Sequence, residues 1–427
     1  MSGILIISEL TDYLAQKSAH FSLTKGFHTA IGFSKLMSSY YLTTGPDTVF
    51  ENVHLISNAN ITMDFLLTNI KYLLLIRETN LVDVIESNSV IKELLLYNKH
   101  GIKIGIKSDN ITWLHSKIYI HQFSTKYNLD FTSHIVSHFD IICTQTSELT
   151  NIGFKGILKY KNAILEKNFL SRMGVPNKNP TDYTSTTPYD IDHKYCVDSY
   201  KNLCEGRALK PLCYTEKGLA NNPNGISQFN KPKIILIYMG RIKTEDGKIF
   251  YMMRDIMKAL GSDYELHIFP GRFKIPGCET TVWSANNGEN LQLIRDSMFY
   301  DCNNVVVHYP FGENDKTRWL QFADIGIDFS SGRPENKKSV AGHAKTLEYC
   351  YYGLKVVCDR NINNSDLVDR AENGILLEGV PTVDDYVTNI KKLTTMKINR
   401  DYAINKTIES NNWDLITLEL KNKLDSY

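Results

Sequence analysis

Four residues of metal-binding type fall close together: His193, Cys196, Cys204 and Cys213. Three thiolates and one imidazole make the donor set of a closed tetrahedral zinc site. Only the His193/Cys196 step has knuckle-like spacing, so the expected reading is a cluster without metal. Nucleophilic catalysis finds less support, because no Ser, Cys or Lys stands in a pattern with a partner base. A second group has different chemistry. Arg241, Lys243 and Lys248 follow the apolar run IILIYMG, and Lys345 precedes Glu348 by one helical turn in AKTLEYCYY. Fixed cations can stabilise negative charge on a departing group, and one carboxylate can accept from two adjacent hydroxyls.

These residues need a scaffold, and the chain supplies two series of short apolar runs separated by helical patterns. That alternation predicts parallel sheets with crossover helices. In the first series ILIIS (Ile4 to Ser8), VHLIS (Val53 to Ser57), YLLLI (Tyr72 to Ile76), IKIGI (Ile102 to Ile106) and DIICT (Asp140 to Thr144) read as strands. KGFHTAIGFSKL reads as a helix, and SVIKELLLYNKHG as another with Gly101 as its stop. In the second series PKIILIYMG, ELHIFPG, NVVVHYP, DIGIDFSS and LKVVCD read as strands. NLQLIRDSMF, TRWLQF and AKTLEYCYY read as helices between them. In DGKIFYMMRDIMKAL the residues Ile249, Met252, Met253, Ile256, Met257 and Leu260 make one apolar stripe. The stretch from Asn177 to Lys231 has no sustained period and reads as a linker carrying an insertion.

Composition narrows the class. A chain of 427 residues exceeds what one core usually serves, so two domains are expected. With 48 basic against 47 acidic residues the net charge is +1, which weighs against a nucleic-acid phosphate backbone as main partner. The start, MSGILIISEL, lacks the basic region of a secretory signal, and no apolar run reaches membrane-spanning length. Eight cysteines, with Cys143, Cys350 and Cys358 in apolar runs, suit a reducing, cytoplasmic compartment.

In order, YMGRIKTEDGK, ELHIFPGR, NVVVHYPFGENDKTRWLQFADIGIDFSS, GHAKTLEYCYYGLKVVCD, AENGILLEG and NNWDLITLEL resemble the donor half of the retaining family-4 glycosyltransferases (glycosyl transferases group 1). The resemblance covers roughly the last half of the chain, and the first half shares its strand rhythm. It implies an α/β protein of the GT-B kind, with two doubly wound Rossmann-like domains facing across a cleft. Residues 1–176 would form the acceptor-side domain, 177–231 the linker and insertion, and 232–395 the nucleotide-sugar domain. Residues 396–427 would be terminal helices returning to the first domain.

The same resemblance implies roles. Arg241 matches the phosphate-binding arginine, with Lys248 and then Lys243 as the accompanying lysine. Glu348 matches the carboxylate that holds the donor ribose. Val340 stands where a second glutamate is usual, and Glu335 in the loop has a different spacing. Lys345 would reach a phosphate, and Gly342 and His343 would turn backbone N–H groups to the pyrophosphate. Ser108, Asp109 and Asn110 occupy the place of a histidine; Asp109 either meets sugar hydroxyls or turns the chain with Asn110. His115, Lys25 and Gly26 are weaker candidates. Trp413 with Asp414 resembles a terminal Trp-Asp pair, Asp414 capping the last helix and Trp413 filling a seam. The implied activity is sugar transfer from a nucleotide-diphosphate sugar to a hydroxyl-bearing acceptor, with retention and without an essential metal or other cofactor. An inactive GT-B scaffold and a GT-B sugar epimerase are the alternatives.

Overall fold

The structure is a computed structural model that describes residues 3–8, 10–16, 21–76, 81–107, 117–144, 160–170, 174–180, 233–240, 248–270, 273–274, 281–282, 299, 301–307, 319–329, 344–362 and 365–427. The described residues fall into two compact units. One holds those up to Asn177 together with Ser410–Tyr427, and the other those from Lys178 to Glu409.

In the first unit, β1 (Gly3–Ile7), β2 (Ser39–Thr43), β3 (Thr48–Phe50), β4 (Val53–Ser57), β5 (Ile70–Ile76), β6 (Lys103–Lys107), β7 (Ile141–Thr144) and β8 (Asn168–Leu170) form one sheet. Their order is β3-β4-β2-β1-β5-β6-β7-β8, and every neighbouring pair is parallel except β3 with β4. The helices are α1 (Tyr13–Gln16), α2 (Phe21–Ser34), α3 (Met63–Asn69), α4 (Leu81–Ser87), α5 (Ser89–Leu96), α6 (Lys117–Tyr127), α7 (Phe131–His138) and α8 (Lys161–Lys167). Chain order along the sheet reverses between β1 and β5, as in a doubly wound fold. Side chains of β1 alternate between two cores: Leu5 and Ile7 face one, Ile4 and Ile6 the other. A strand buried on both faces must be apolar throughout, which is why ILII shows no polar alternation.

Local chemistry sets the helix ends. Asn88 caps α5 by accepting from Val90 and Ile91 N–H, and Asp130 caps α7 by accepting from Ser133 N–H. The helix in SVIKELLLYNKHG stops earlier than Gly101. It ends at Leu96, and His100 and Gly101 then turn the chain into β6 with φ of 48° and 81°. At that helix end two carbonyls find unusual partners: His134 Nε2 donates to Leu95 O and His138 Nε2 to Leu94 O, both at 2.9 Å. The two rings stack with centroids 4.9 Å apart.

Burial holds both imidazoles below their ordinary pKa of 6.5, despite the carbonyl each one faces. As pH falls through about 6.5 the unfolded chain therefore takes up protons before the folded one, and stability declines. We expect the melting temperature to fall between pH 7.5 and pH 5.5. The double variant His134→Gln, His138→Gln should show a shallower fall, and an unchanged slope would clear these histidines of the effect.

The second unit contains β9 (Ile234–Gly240), β10 (Tyr264–Pro270), a two-stranded ribbon of β11 (Phe273–Lys274) and β12 (Thr281–Val282), β13 (Val305–Val307), β14 (Ile325–Asp328), β15 (Lys355–Asp359) and β16 (Gly374–Leu377). Apart from the ribbon they form one parallel sheet in the order β13-β10-β9-β14-β15-β16. Numbered within the unit this is 3-2-1-4-5-6, the Rossmann order, with its switch point between β9 and β14. The helices are α9 (Lys248–Leu260), α10 (Ala344–Tyr351), α11 (Asp366–Ala371), α12 (Val383–Thr395) and α13 (Arg400–Asn411). The expected stripe of α9 is buried through Met253, Ile256, Met257 and Leu260, which pack with Tyr386 and Ile390 of α12 on one face of the sheet. A capping box at Thr382 and Asp385 starts α12.

The final helix, α14 (Trp413–Asp425), belongs to the first unit. The return to that unit begins at Ser410 rather than at 396, because α13 stays with the second unit as far as Glu409. The cap of α14 also differs from expectation. Asn412 accepts from Leu415 N–H, while Asp414 pairs with Lys35 at 2.6 Å and accepts from Asn177 at 2.8 Å. Trp413 is buried within the first unit, near the ring of His28 and the ammonium of Lys107. Among the described residues no helix is long and apolar enough to cross a membrane.

Candidate functional site

In a doubly wound sheet, loops and helix N-termini meet a ligand beyond the carboxyl ends of the strands at the switch point. In the second unit that place lies at the ends of β9 and β14, Gly240 and Asp328. The helix beside it is α10. It can lie close because Gly326 has no side chain: a Cβ there would come within 2.4 Å of the Tyr349 ring. The Tyr349 hydroxyl donates toward Ile237 O, 3.2 Å away, and accepts from Met239 N–H at 3.1 Å. This seats α10 on both switch-point strands. Its far end is fixed by Arg400, whose Nε and Nη2 donate to Tyr352 O at 3.1 and 2.8 Å.

With α10 seated, its first turn delivers two polar side chains to the end of β14. Lys345 Nζ lies 3.0 Å from Asp328 Oδ1, and the Thr346 hydroxyl donates to Oδ2 at 2.5 Å. Nζ also sits 5.0 Å from the centre of the Tyr238 ring. Burial by itself would lower the lysine's pKa; the carboxylate of Asp328 and the phenol of Tyr238 together outweigh it, so the net shift is upward. Lys345 is therefore a firmly charged ammonium. Next to it, the Tyr386 hydroxyl donates to Asp359 at the end of β15 and, at 3.3 Å, to Asp328 O. The carboxyl ends of β14 and β15 thus carry two buried carboxylates, each with its own hydroxyl donor.

Of the residues singled out in the sequence, Glu348 and Lys345 come together on α10, with Glu348 half-buried one turn after Lys345. Lys248 opens α9, its side chain lying outside the described residues. Arg241, Lys243, Gly342, His343 and Asp109 lie outside the described residues, as do Glu335, Val340, His115, His193, Cys196, Cys204 and Cys213. Gly26 lies in α2 against Ser8 at the end of β1. Among the described residues no group of three or more His, Cys, Asp or Glu could hold a metal ion. Asp328, Thr346, Asp359 and Tyr386 were not singled out. The available signal was a carboxylate closing an otherwise apolar strand, as in IGID and KVVCD, since a charge at such a place needs a partner.

Neither a family profile nor a curated protein matches the chain. Solved structures match it from end to end at low identity. HepE from Anabaena, in complex with UDP and glucose, has a TM-score of 0.57 at 10% identity, covering 100% of both chains. The UDP-forming α,α-trehalose-phosphate synthase from Burkholderia xenovorans has a TM-score of 0.57 at 10% identity, covering 99% of this chain and 100% of that one. A glycosyltransferase from Rickettsia africae has a TM-score of 0.56 at 10% identity, covering 100% of this chain and 98% of that one. With its last helix returned to the first of two doubly wound units, and with these structures matching it along their whole length, the chain has the GT-B fold.

Proposed function

We propose that the protein transfers a sugar from a nucleotide-diphosphate sugar to a hydroxyl-bearing acceptor. The observation that carries this reading is the charged first turn of α10 at the β9/β14 switch point, in a chain of GT-B fold. The end-to-end similarity to HepE holding UDP and glucose supports a nucleotide sugar as the donor. In this reading Arg241 and Lys345 face the diphosphate, with Lys248 or Lys243 beside them and the backbone of Gly342 and His343 donating to it. Glu348 accepts from the ribose hydroxyls. Asp109 contributes from the first unit. The departing diphosphate takes the acceptor's proton, so transfer proceeds with retention, and fixed cations supply what a metal would otherwise supply.

The test is a panel of nucleotide sugars read by thermal shift and by release of nucleoside diphosphate. A donor should raise the melting point, since it binds only the folded state, and should be consumed when an acceptor is present. No shift with any nucleotide sugar would sink the reading. Glu348→Ala should raise the donor KM about tenfold at nearly constant kcat. Its contacts form before the chemistry and persist through it, and one charge-assisted hydrogen bond is worth about that much. A fall in kcat at unchanged KM would move Glu348 away from the ribose.

A further inference from the structure

Asp328 and Lys345 form an ion pair in a place where charge is costly. The Asp328 side chain is fully buried and that of Lys345 is 13% exposed. Withdrawing two such charges from water commonly costs as much as their attraction returns, and apolar pairs of similar volume often serve stability as well. Nor is the pair needed to hold α10 down. Tyr349 already ties that helix to β9, and Arg400 holds its far end. Stability therefore does not account for the pair, whereas its position does, at the carboxyl end of β14 beside the switch point.

We propose that Asp328 is a positioning residue for the donor diphosphate, holding the Lys345 ammonium in place for the phosphates at the switch point of the second sheet. The proposal rests on the donor reading above. An ammonium has three protons to donate. Asp328 takes one, and Tyr238 lies against the group, so a phosphate meets an oriented donor rather than a freely rotating cation. Because Asp328 balances its charge, the ammonium can wait in a buried site without a ligand.

The proposal has a signature that a purely structural carboxylate would lack. Burial acts to lower the pKa of Lys345, and the charge of Asp328 is the first of the influences that oppose it. With Asp328 made neutral, burial prevails and the lysine loses its proton at a lower pH. Besides Asp328, the group facing it is Tyr238 on β9, while Tyr349 on α10, Cys358 on β15 and Tyr386 on α12 face Asp328, with Glu348 beside Tyr349 and Asp359 beside Tyr386. Burial raises Tyr238, Tyr349, Tyr386 and Cys358, so these stay neutral between about pH 7 and about pH 9.5. Lys345 is then the group whose charge changes in that window.

The experiment is calorimetric titration of UDP into the full chain at pH 7 and pH 9.5. The wild type should bind with affinities within about threefold of each other. Asp328→Asn should weaken about tenfold or more between the two pH values. Adding Lys345→Arg to Asp328→Asn should abolish that dependence, because a guanidinium stays charged throughout. Equal weakening of Asp328→Asn at both pH values overturns the proposal, leaving the donor reading in place. Should Asp328→Asn fail to fold, Lys345→Met decides. It should lose about tenfold in UDP affinity at pH 7, read at a temperature where circular dichroism shows the variant folded, and unchanged affinity overturns the proposal. A wild type that binds no UDP overturns the donor reading and this proposal with it.

Discussion

Arg241→Ala is expected to cut the rate of sugar transfer about a hundredfold while leaving the melting temperature where it was. As the sugar–phosphate bond breaks, the diphosphate becomes more negative than it is in the bound donor. A fixed cation therefore helps the transition state more than the ground state, and its loss falls on kcat. Arg241 follows directly on Gly240, the last residue of β9, so the chain leaves the sheet at its switch point. Arginine suits the role because its planar fork can meet two phosphate oxygens at once. Arg241→Lys should recover part of the loss by restoring charge without the fork. Near-normal turnover of a folded Arg241→Ala would remove this residue from the site and leave Lys345 and Lys248 as the cations.

Trp413→Ala should destabilise the first unit by about 3–5 kcal/mol, the range for deleting a buried aromatic side chain. Trp413 is 6% exposed, and its ring lies so close to Gly174 that a Cβ there would come within 2.4 Å of it. His28 stacks on the ring with planes 14° apart, and Lys107 Nζ lies 4.8 Å from its centre. The Trp413 backbone is also tied in, its N–H donating to Val175 O at 2.9 Å. Truncation would leave a cavity under Lys107, a buried lysine, and remove the packing that aligns α14. Denaturant unfolding followed by circular dichroism measures the loss. A change within about 0.5 kcal/mol would show that the first unit closes without this ring.

Much of the scaffold was legible because the central strands of both sheets are parallel and buried on both faces. Such strands must be continuous apolar runs, and IILIYMG, IGID and KVVCD stand out from their polar surroundings for that reason. β2 was not singled out, since SYYLT opens on a serine and carries two tyrosine hydroxyls that blur the apolar signal. The extent of α5 was misjudged because Gly101 looked like a helix stop. The carbonyls at the true end are met by His134 and His138, about forty residues on in the chain, and no local pattern can show that. The cap of α14 was misplaced by two residues for a simpler reason. Asn412 and Asp414 are both good caps, and only the geometry shows that Asp414 is drawn off by Lys35 and Asn177.

At the candidate site, Glu348 and Lys345 were singled out through the resemblance of GHAKTLEYCYYGLKVVCD, and the structure puts both on α10. What they touch was not legible. Asp328 stands seventeen residues before Lys345 in the chain, and only the parallel crossover between β14 and α10 brings the two side chains together. Partnerships of that kind are products of topology, and spacing along a sequence does not encode them.

Because α14 belongs to the first unit, one part of that body is made before the second unit and the other part after it. Leu420 and Leu424 of α14 complete the same core as Ile4, Phe27 and Phe33. The first unit therefore emerges early yet cannot seal that core until the second has been made. This inverts the usual order, in which the amino-terminal domain matures first. Nascent chains halted just before Trp413 should already protect the second unit from protease while the first stays open to it. Early protection of both would show that α14 is an addition to a body already closed.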